Sequence, residues 1–371
     1  MFIRNLQLYN FKNYQENSFN FSDSINCFIG DNGAGKTNIL DAIYYLSFTK
    51  SYFNLLDSQN IKHDQDFFAI HGKFFHENGD FDDVSCVQKR NSKKQFRING
   101  KDYDRLADHI GIFPLVMVSP YDRDLINDGS EIRRKYIDSV ISQFDRSYLE
   151  DLITYNKALM QRNFLLKRMS ENRSFDSSTL EIYGEQMNEP ANRIYQKRIS
   201  FLNGFISVFR DYFSFISNNK EHVDIVYKSD LQERTLPEIF RDNTERDIYL
   251  KYTTGGVHKD DIELKIGNLP VKKYGSQGQQ KSFLIALKLA QFEYTKNVKG
   301  FKPILLFDDI FDKLDFKRVS QIINLVGGDN FGQVFITDTQ PERINMIFRN
   351  SSHNHLIYSV DNGNALAISK I

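Results

Sequence analysis

The chain has 371 residues, 40% of them apolar, and its 48 acidic residues balance 48 lysines and arginines, for a formal net charge of zero. That composition predicts a folded core and excludes a global field that could hold nucleic acid, so any DNA binding must come from local patches. No window approaches the roughly 18 apolar residues of a membrane span, and the opening MFIRNLQLYNFKNY has no signal-peptide core. Cys27 and Cys86 lie far apart with no metal spacing, which fits a reducing cytoplasm.

SINCFIGDNGAGKTNILDAIYYLSF reads as a short buried strand (Ile25 to Ile29), a glycine loop and a helix from about Lys36. Gly30, Gly35, Lys36 and Thr37 fill the pattern G-x-x-x-x-G-K-[ST]. Gly30, Gly33 and Gly35 let backbone N–H groups turn inward around phosphates. Lys36 adds a point charge for the β- and γ-phosphates, Thr37 a hydroxyl for Mg²⁺, and the helix its positive end. The implied ligand is a nucleoside triphosphate, bound by Gly30, Asp31, Asn32, Gly33, Ala34, Gly35, Lys36, Thr37 and Asn38.

FFAIHGKFF, VSCVQKR, QFRING and, much later, DIELKIG are short β-rich runs bounded by turns, expected to form one antiparallel sheet beside the nucleotide sheet. Three basic clusters stand out: Lys93, Lys94 and Arg97; Arg133, Arg134 and Lys135; and Lys167 with Arg168. Each alone reads as a solvated face; joined in one groove they would contact phosphates without reading sequence.

From Tyr148 a 3.5-residue period sets in: Tyr148, Leu152, Tyr155, Leu159, Arg162, Leu166, Met169. After a polar break it resumes as Leu180, Tyr183, Met187, Ala191, Ile194, Arg198, Phe201, Phe205, Val208, Tyr212 and Phe215. This predicts a helical hairpin with one arginine in each seam and a kink at Pro190. In GGVHKDD, a single histidine (His258) argues for a structural role and not a metal site.

YGSQGQQKS, taken alone, is a polar N-cap turn leading into a helix from near Gln279. KPILLFDDIFDKLD supplies the acidic strand that a phosphate loop needs, with Asp308 placed to hold Mg²⁺ and Asp309 to orient the attacking water. QVFITDTQ follows with Thr337, Asp338 and Thr339 and no histidine.

The order of these motifs, with LYNFKNY, VSPYDRDLINDGSEIRRKYID and YNKALMQRNFLLK, resembles the bacterial RecF family of ABC-type ATPases, relatives of the SMC proteins. The resemblance implies an α/β ATPase head with a mixed sheet (1–119 and 251–371) and an inserted helical arm lobe (120–250). It makes Ser276, Gln277, Gly278, Gln279 and Gln280 a signature loop that closes over ATP held by a second copy, with Asp315 as the D-loop. It further implies Lys36 and Asp309 as catalytic residues, and Thr37 and Asp308 as Mg²⁺ ligands. The expected activity is weak, DNA-stimulated ATP hydrolysis resetting an ATP-dependent homodimer. That dimer would bind gapped, single- and double-stranded DNA and help load RecA with RecR and RecO. The runner-up is an SMC-like ATPase of another DNA-maintenance or phage-defence pathway. Asp309 in place of glutamate, and the missing histidine, both suggest slow turnover. No glutamine marks the lobe junction, for which Ser119 to Asp122 is the available stretch.

Overall fold

The structure, a computed structural model, describes residues 1–54, 56–172, 176–218, 221–311, 316–348 and 355–370. The chain forms two compact units: Met1–Asp122 with Leu287–Ile371, and Arg123–Ala286.

The first unit opens with β1 (Phe2–Phe11), β2 (Tyr14–Asn20), β3 (Ile25–Ile29) and α1 (Lys36–Phe48). It continues through β4 (Phe67–Phe75), β5 (Phe81–Lys89), β6 (Gln95–Ile98), β7 (Lys101–Asp102) and β8 (Leu115–Val118). The second unit holds α2 (Asp124–Asn127), α3 (Ser130–Ser142), α4 (Arg146–Asn172), α5 (Ser177–Ser217), β9 (Val223–Lys228) and α6 (Leu236–Leu250). Then come β10 (Asp261–Ile266), β11 (Leu269–Pro270), α7 (Val271–Tyr274) and α8 (Gln277–Lys299), within which the chain re-enters the first unit. That second junction therefore falls at residue 287, inside a helix, where the sequence suggested 251. The first unit closes with β12 (Ile304–Phe307), α9 (Phe316–Val326), β13 (Val334–Asp338), α10 (Pro341–Phe348), β14 (His355–Asp361) and β15 (Asn364–Lys370).

Two six-stranded sheets build the first unit. One runs β15-β14-β3-β13-β12-β8, parallel throughout except for the antiparallel edge pair β14–β15. Its strands INCFI, LVMV, ILLF and VFITD are buried at every position, as expected for parallel strands covered on both faces. The other, β2-β1-β4-β5-β6-β7, is antiparallel, and β4 alternates buried and half-buried residues. Three of the four runs expected in one sheet are here. DIELKIG is not: as β10 it pairs with β9 and β11 in a separate three-stranded sheet of the second unit. A short β-run specifies a strand but not its neighbour, so the pairing of β10 with β9 is set by the fold and not by the run itself.

In the second unit α4 and α5 pack as the hairpin, and α5 runs on through Pro190, giving up one backbone hydrogen bond there. The seam holds its heptad phase only in part. Buried positions on α5 go from Phe205 to Phe209, Phe213 and Ile216, while Phe215 is 46% exposed. A straight helix of 3.6 residues per turn drifts from a 3.5 repeat, and here Phe209 and Phe213 turn to meet Phe283 of α8. On α4, Ala158 is buried where Leu159 was expected.

His258 has the structural role expected of it. Tyr155 Oη lies 2.7 Å from Nδ1, and Nε2 lies 3.0 Å from the Thr253 carbonyl. In the first unit His109 is likewise held between Tyr103 and the Leu46 carbonyl. Burial lowers both imidazoles to about 4. A histidine depressed in the fold but near 6.5 when unfolded takes up a proton on unfolding between those values. Stability is then intact above pH 6.5 and lost as pH falls toward 4. At pH 5 each histidine should cost about 2 kcal/mol relative to pH 7.5. Denaturant midpoints at the two pH values check this, and equal midpoints would contradict it.

Candidate nucleotide-binding site

The site lies at the carboxyl ends of three adjacent strands, β3, β13 and β12, the usual ligand position in an open α/β sheet. From β3 the chain enters the glycine loop with Gly33 at φ +82° and Gly35 at φ +119°, backbone that favours glycine. A Cβ on Gly35 would also lie 2.6 Å from the Asn13 side chain. The loop is gripped from the β1–β2 turn. Asn13 Nδ2 donates to the Ala34 carbonyl (2.9 Å), Asn13 Oδ1 accepts from Asn38 Nδ2 (2.7 Å), and Tyr14 Oη donates to the Gly35 carbonyl (3.2 Å). From β15's turn the Gly363 N–H donates to Ala34 O as well (3.0 Å). LYNFKNY carried only a resemblance in the sequence; its Asn13 and Tyr14 prove to be the brace of the loop.

Lys36, 6% exposed, folds back so that Nζ donates to the carbonyls of Gly30 (2.7 Å) and Asp31 (2.8 Å). Thr37 Oγ1 donates to Asp308 Oδ1 at 2.8 Å, joining the loop to the acidic strand across 271 positions of sequence. Thr337, at the end of β13, donates to the same oxygen (2.9 Å) and accepts the Asp309 N–H (2.8 Å). Asp309 itself sits at φ +46°, uncommon for a residue with a side chain. Asn32, Gly33, Gly35, Lys36, Thr37, Asn38, Asp309 and Thr337 line a cleft of about 130 Å³.

Burial pushes the Asp308 carboxyl above its usual range, against the pull of the two hydroxyl donors. Burial also lowers the Lys36 ammonium, although Asp309, Asp308, Asp31 and Asp338 oppose it. The hydroxyl of Thr37 and the carboxylate of Asp308 are hard oxygen donors of the kind Mg²⁺ takes when it shares a site with phosphates. These residues fit Mg²⁺.

The Ser276 loop belongs to the second unit. Ser276 caps α8: its Oγ accepts the Gln279 N–H (3.2 Å), and Gln279 Oε1 accepts the Ser276 N–H (2.6 Å). This is a capping box, so the helix starts at Gln277, two residues earlier than expected. Gln279 Nε2 donates to Glu221, while Ser276 and Gln277 stay exposed. Asp315 lies outside the described residues.

The basic clusters are less open than the sequence suggested. Lys94 pairs with Asp57 at 2.8 Å and is 11% exposed. Arg97 pairs with its cross-strand partner Asp102, and Arg133 forks onto Asp261. Arg134 donates to Ser130 and the Asp260 carbonyl, and Lys135 pairs with Glu131 at the surface. Lys93, Lys167 and Arg168 are exposed.

A glycine loop after a buried strand, a hydroxyl–carboxylate bridge to a neighbouring strand end and a capped Ser-Gln-Gly-Gln helix start define an ABC-type P-loop ATPase head. Comparison with known proteins agrees. Residues 2–364 match the RecF/RecN/SMC N terminal domain family. The DNA replication and repair protein RecF of Flavobacterium johnsoniae is 51% identical over 360 residues, covering 97% of this chain and all of that one. RecF of Bacteroides thetaiotaomicron is 47% identical over 363 residues, 98% of each chain. The solved structure of the recombination mediator protein RecF with ATP superposes with a TM-score of 0.89 at 28% identity, covering 99% of this chain and 98% of that one. The Smc head domain of Pyrococcus furiosus shares the fold, with a TM-score of 0.59 at 17% identity over 99% and 96% of the two chains. The chain belongs to the RecF/RecN/SMC N terminal domain family, on its RecF branch. It is thereby an ATP-binding ATPase of DNA replication, repair and recombination.

Proposed function

We propose that this chain is an ATP-gated clamp acting in the cytoplasm on replication gaps and in recombinational repair. Two copies close over two ATP molecules with Mg²⁺ and hold DNA at junctions of single and double strand. With RecR and RecO they promote RecA loading, and slow hydrolysis resets them. The observation that supports this reading is the presence of two polar helix starts in one chain, at Lys36 on α1 and Gln277 on α8, in different compact units. Each helix N-terminus favours an anion. Two such sites serve two nucleotides if each ATP lies between the glycine loop of one copy and the Ser276 loop of the other. Asp315 would reach across the same interface.

Within one head, Thr37 and Asp308 would hold Mg²⁺, which when bound neutralises charge on the phosphates. Lys36 would leave its carbonyls for the β- and γ-phosphates, and Asp309 would orient the attacking water. The short Asp309 side chain, and the absence of a histidine within QVFITDTQ, support slow turnover.

DNA contact falls to exposed cations such as Lys93, Lys167 and Arg168, binding backbone phosphates. Fluorescence anisotropy with a gapped duplex tests the gate. Binding is expected only with ATP and Mg²⁺, weakening steeply with salt, and hydrolysis is expected to rise when the duplex is added. Equal binding without nucleotide would contradict the reading.

A further inference from the structure

We infer that Thr337 is a positioning residue for ATP hydrolysis, its one hydroxyl locking the Asp308 carboxylate and the Asp309 backbone into a single unit. The inference rests on the ATPase reading above and adds a residue to it. A threonine hydroxyl has one proton to give and lone pairs to accept with. Here it uses both: it donates to Asp308 Oδ1 and accepts the Asp309 N–H. The oxygen it meets is the one that Thr37 of the glycine loop also meets, so a single carboxylate oxygen ties β12 to α1 and β13.

Two further observations separate this from an ordinary buried threonine. Thr337 is 1% exposed, yet it lines the cleft beside Lys36 and Thr37. The N–H it accepts belongs to a residue at φ +46°, a conformation that persists only where the surroundings impose it. Being β-branched, the side chain has few χ1 choices and holds its hydroxyl in place without help. Asp309 is thus kept in the cleft wall by a bond to its backbone, leaving its carboxylate to act.

Thr337→Val keeps the shape and removes both bonds; Thr337→Ser restores the hydroxyl. In the full-length chain the valine variant should lower kcat by about 10- to 100-fold, the usual loss when a group that orients a metal ligand is removed. The Mg²⁺ concentration giving half of the magnesium-dependent gain in affinity for a fluorescent ATP analogue should rise by a similar factor. Affinity for the analogue in excess EDTA should stay within about threefold, because the glycine loop is intact. Serine should recover most of both losses, with thermal midpoints showing that all three proteins are folded.

Wild-type kcat in the valine variant would overturn the inference. So would an affinity in EDTA that falls as far as kcat, since Thr337 would then merely support the loop. A serine variant as impaired as the valine one would overturn it too. If the wild type hydrolyses no ATP, the ATPase reading fails, and an unchanged Mg²⁺ requirement in the valine variant then overturns the Thr337 inference on its own.

Discussion

Replacing Asp308 with asparagine is expected to lower ATP turnover by about 10²-fold or more, on the scale of losing one preorganised charge-stabilising group. The thermal midpoint should stay level or rise. The amide oxygen of the introduced asparagine could still accept the Thr37 and Thr337 hydroxyls that Asp308 Oδ1 accepts now, so the local geometry has reason to survive. What disappears is the negative charge. That charge is unfavourable where it sits, because burial raises the carboxyl above its usual range. The sign follows: a carboxylate whose folded pKa is raised weakens the fold at neutral pH, so neutralising it relieves strain. Activity and stability therefore move in opposite directions, as expected of a group kept for chemistry. Phosphate release and a melting curve on the same preparation decide it. A large fall in midpoint would make Asp308 a structural residue.

Arg198→Met should act in reverse, costing stability. Arg198 is 2% exposed on α5 and reaches four partners within the second unit: Asp138, Tyr148, the Val257 carbonyl and Asp260. Asp260 is itself 2% exposed and also accepts from Tyr227. Methionine fills much of the arginine's volume but leaves Asp260 buried without its cation. Breaking a buried pair from one side costs about 3–5 kcal/mol. For a unit of this size that is a fall of roughly 10 °C in midpoint. A fall of only one or two degrees would show that the network is solvated or replaceable. Arg162, between Asp247 and Thr253 with Phe240 against its guanidinium, should behave likewise. Each hairpin seam thus carries an arginine because α6 and the segment just before β10 supply aspartates to meet it.

Those aspartates mark the limit of what the sequence discloses. Ile25–Ile29, the helix start at Lys36 and the acidic run ending at Asp308 were legible because each is a local pattern of apolar run, glycine and charge. The bond between Thr37 and Asp308 could be anticipated from the chemistry of phosphate loops alone. Thr337 could not be placed, since its role depends on β13 lying between β3 and β12, and periodicity does not encode strand order. Asn13 was hidden for the same reason: its grip on Ala34 exists only because the β1–β2 turn abuts the loop. The basic clusters misled in a related way. Lys94 and Arg133 look free in sequence, while Asp57 and Asp261, which occupy them, lie tens to more than a hundred residues away. On α5 the heptad reading failed past Phe205 because Phe283 draws the aromatic face around by one position.

The clamp depends above all on the Ser276 loop serving a nucleotide held by another copy. Light scattering on the wild type and Ser276→Arg, with and without ATP and Mg²⁺, isolates that contact. Gapped DNA is added in a second series, and binding of a fluorescent ATP analogue confirms that the glycine loop of the variant still works. ATP is expected to double the 43.4 kDa mass of the wild type and to leave the variant monomeric. A variant that doubles as readily as the wild type, or a wild type that stays monomeric with ATP even on gapped DNA, would contradict it.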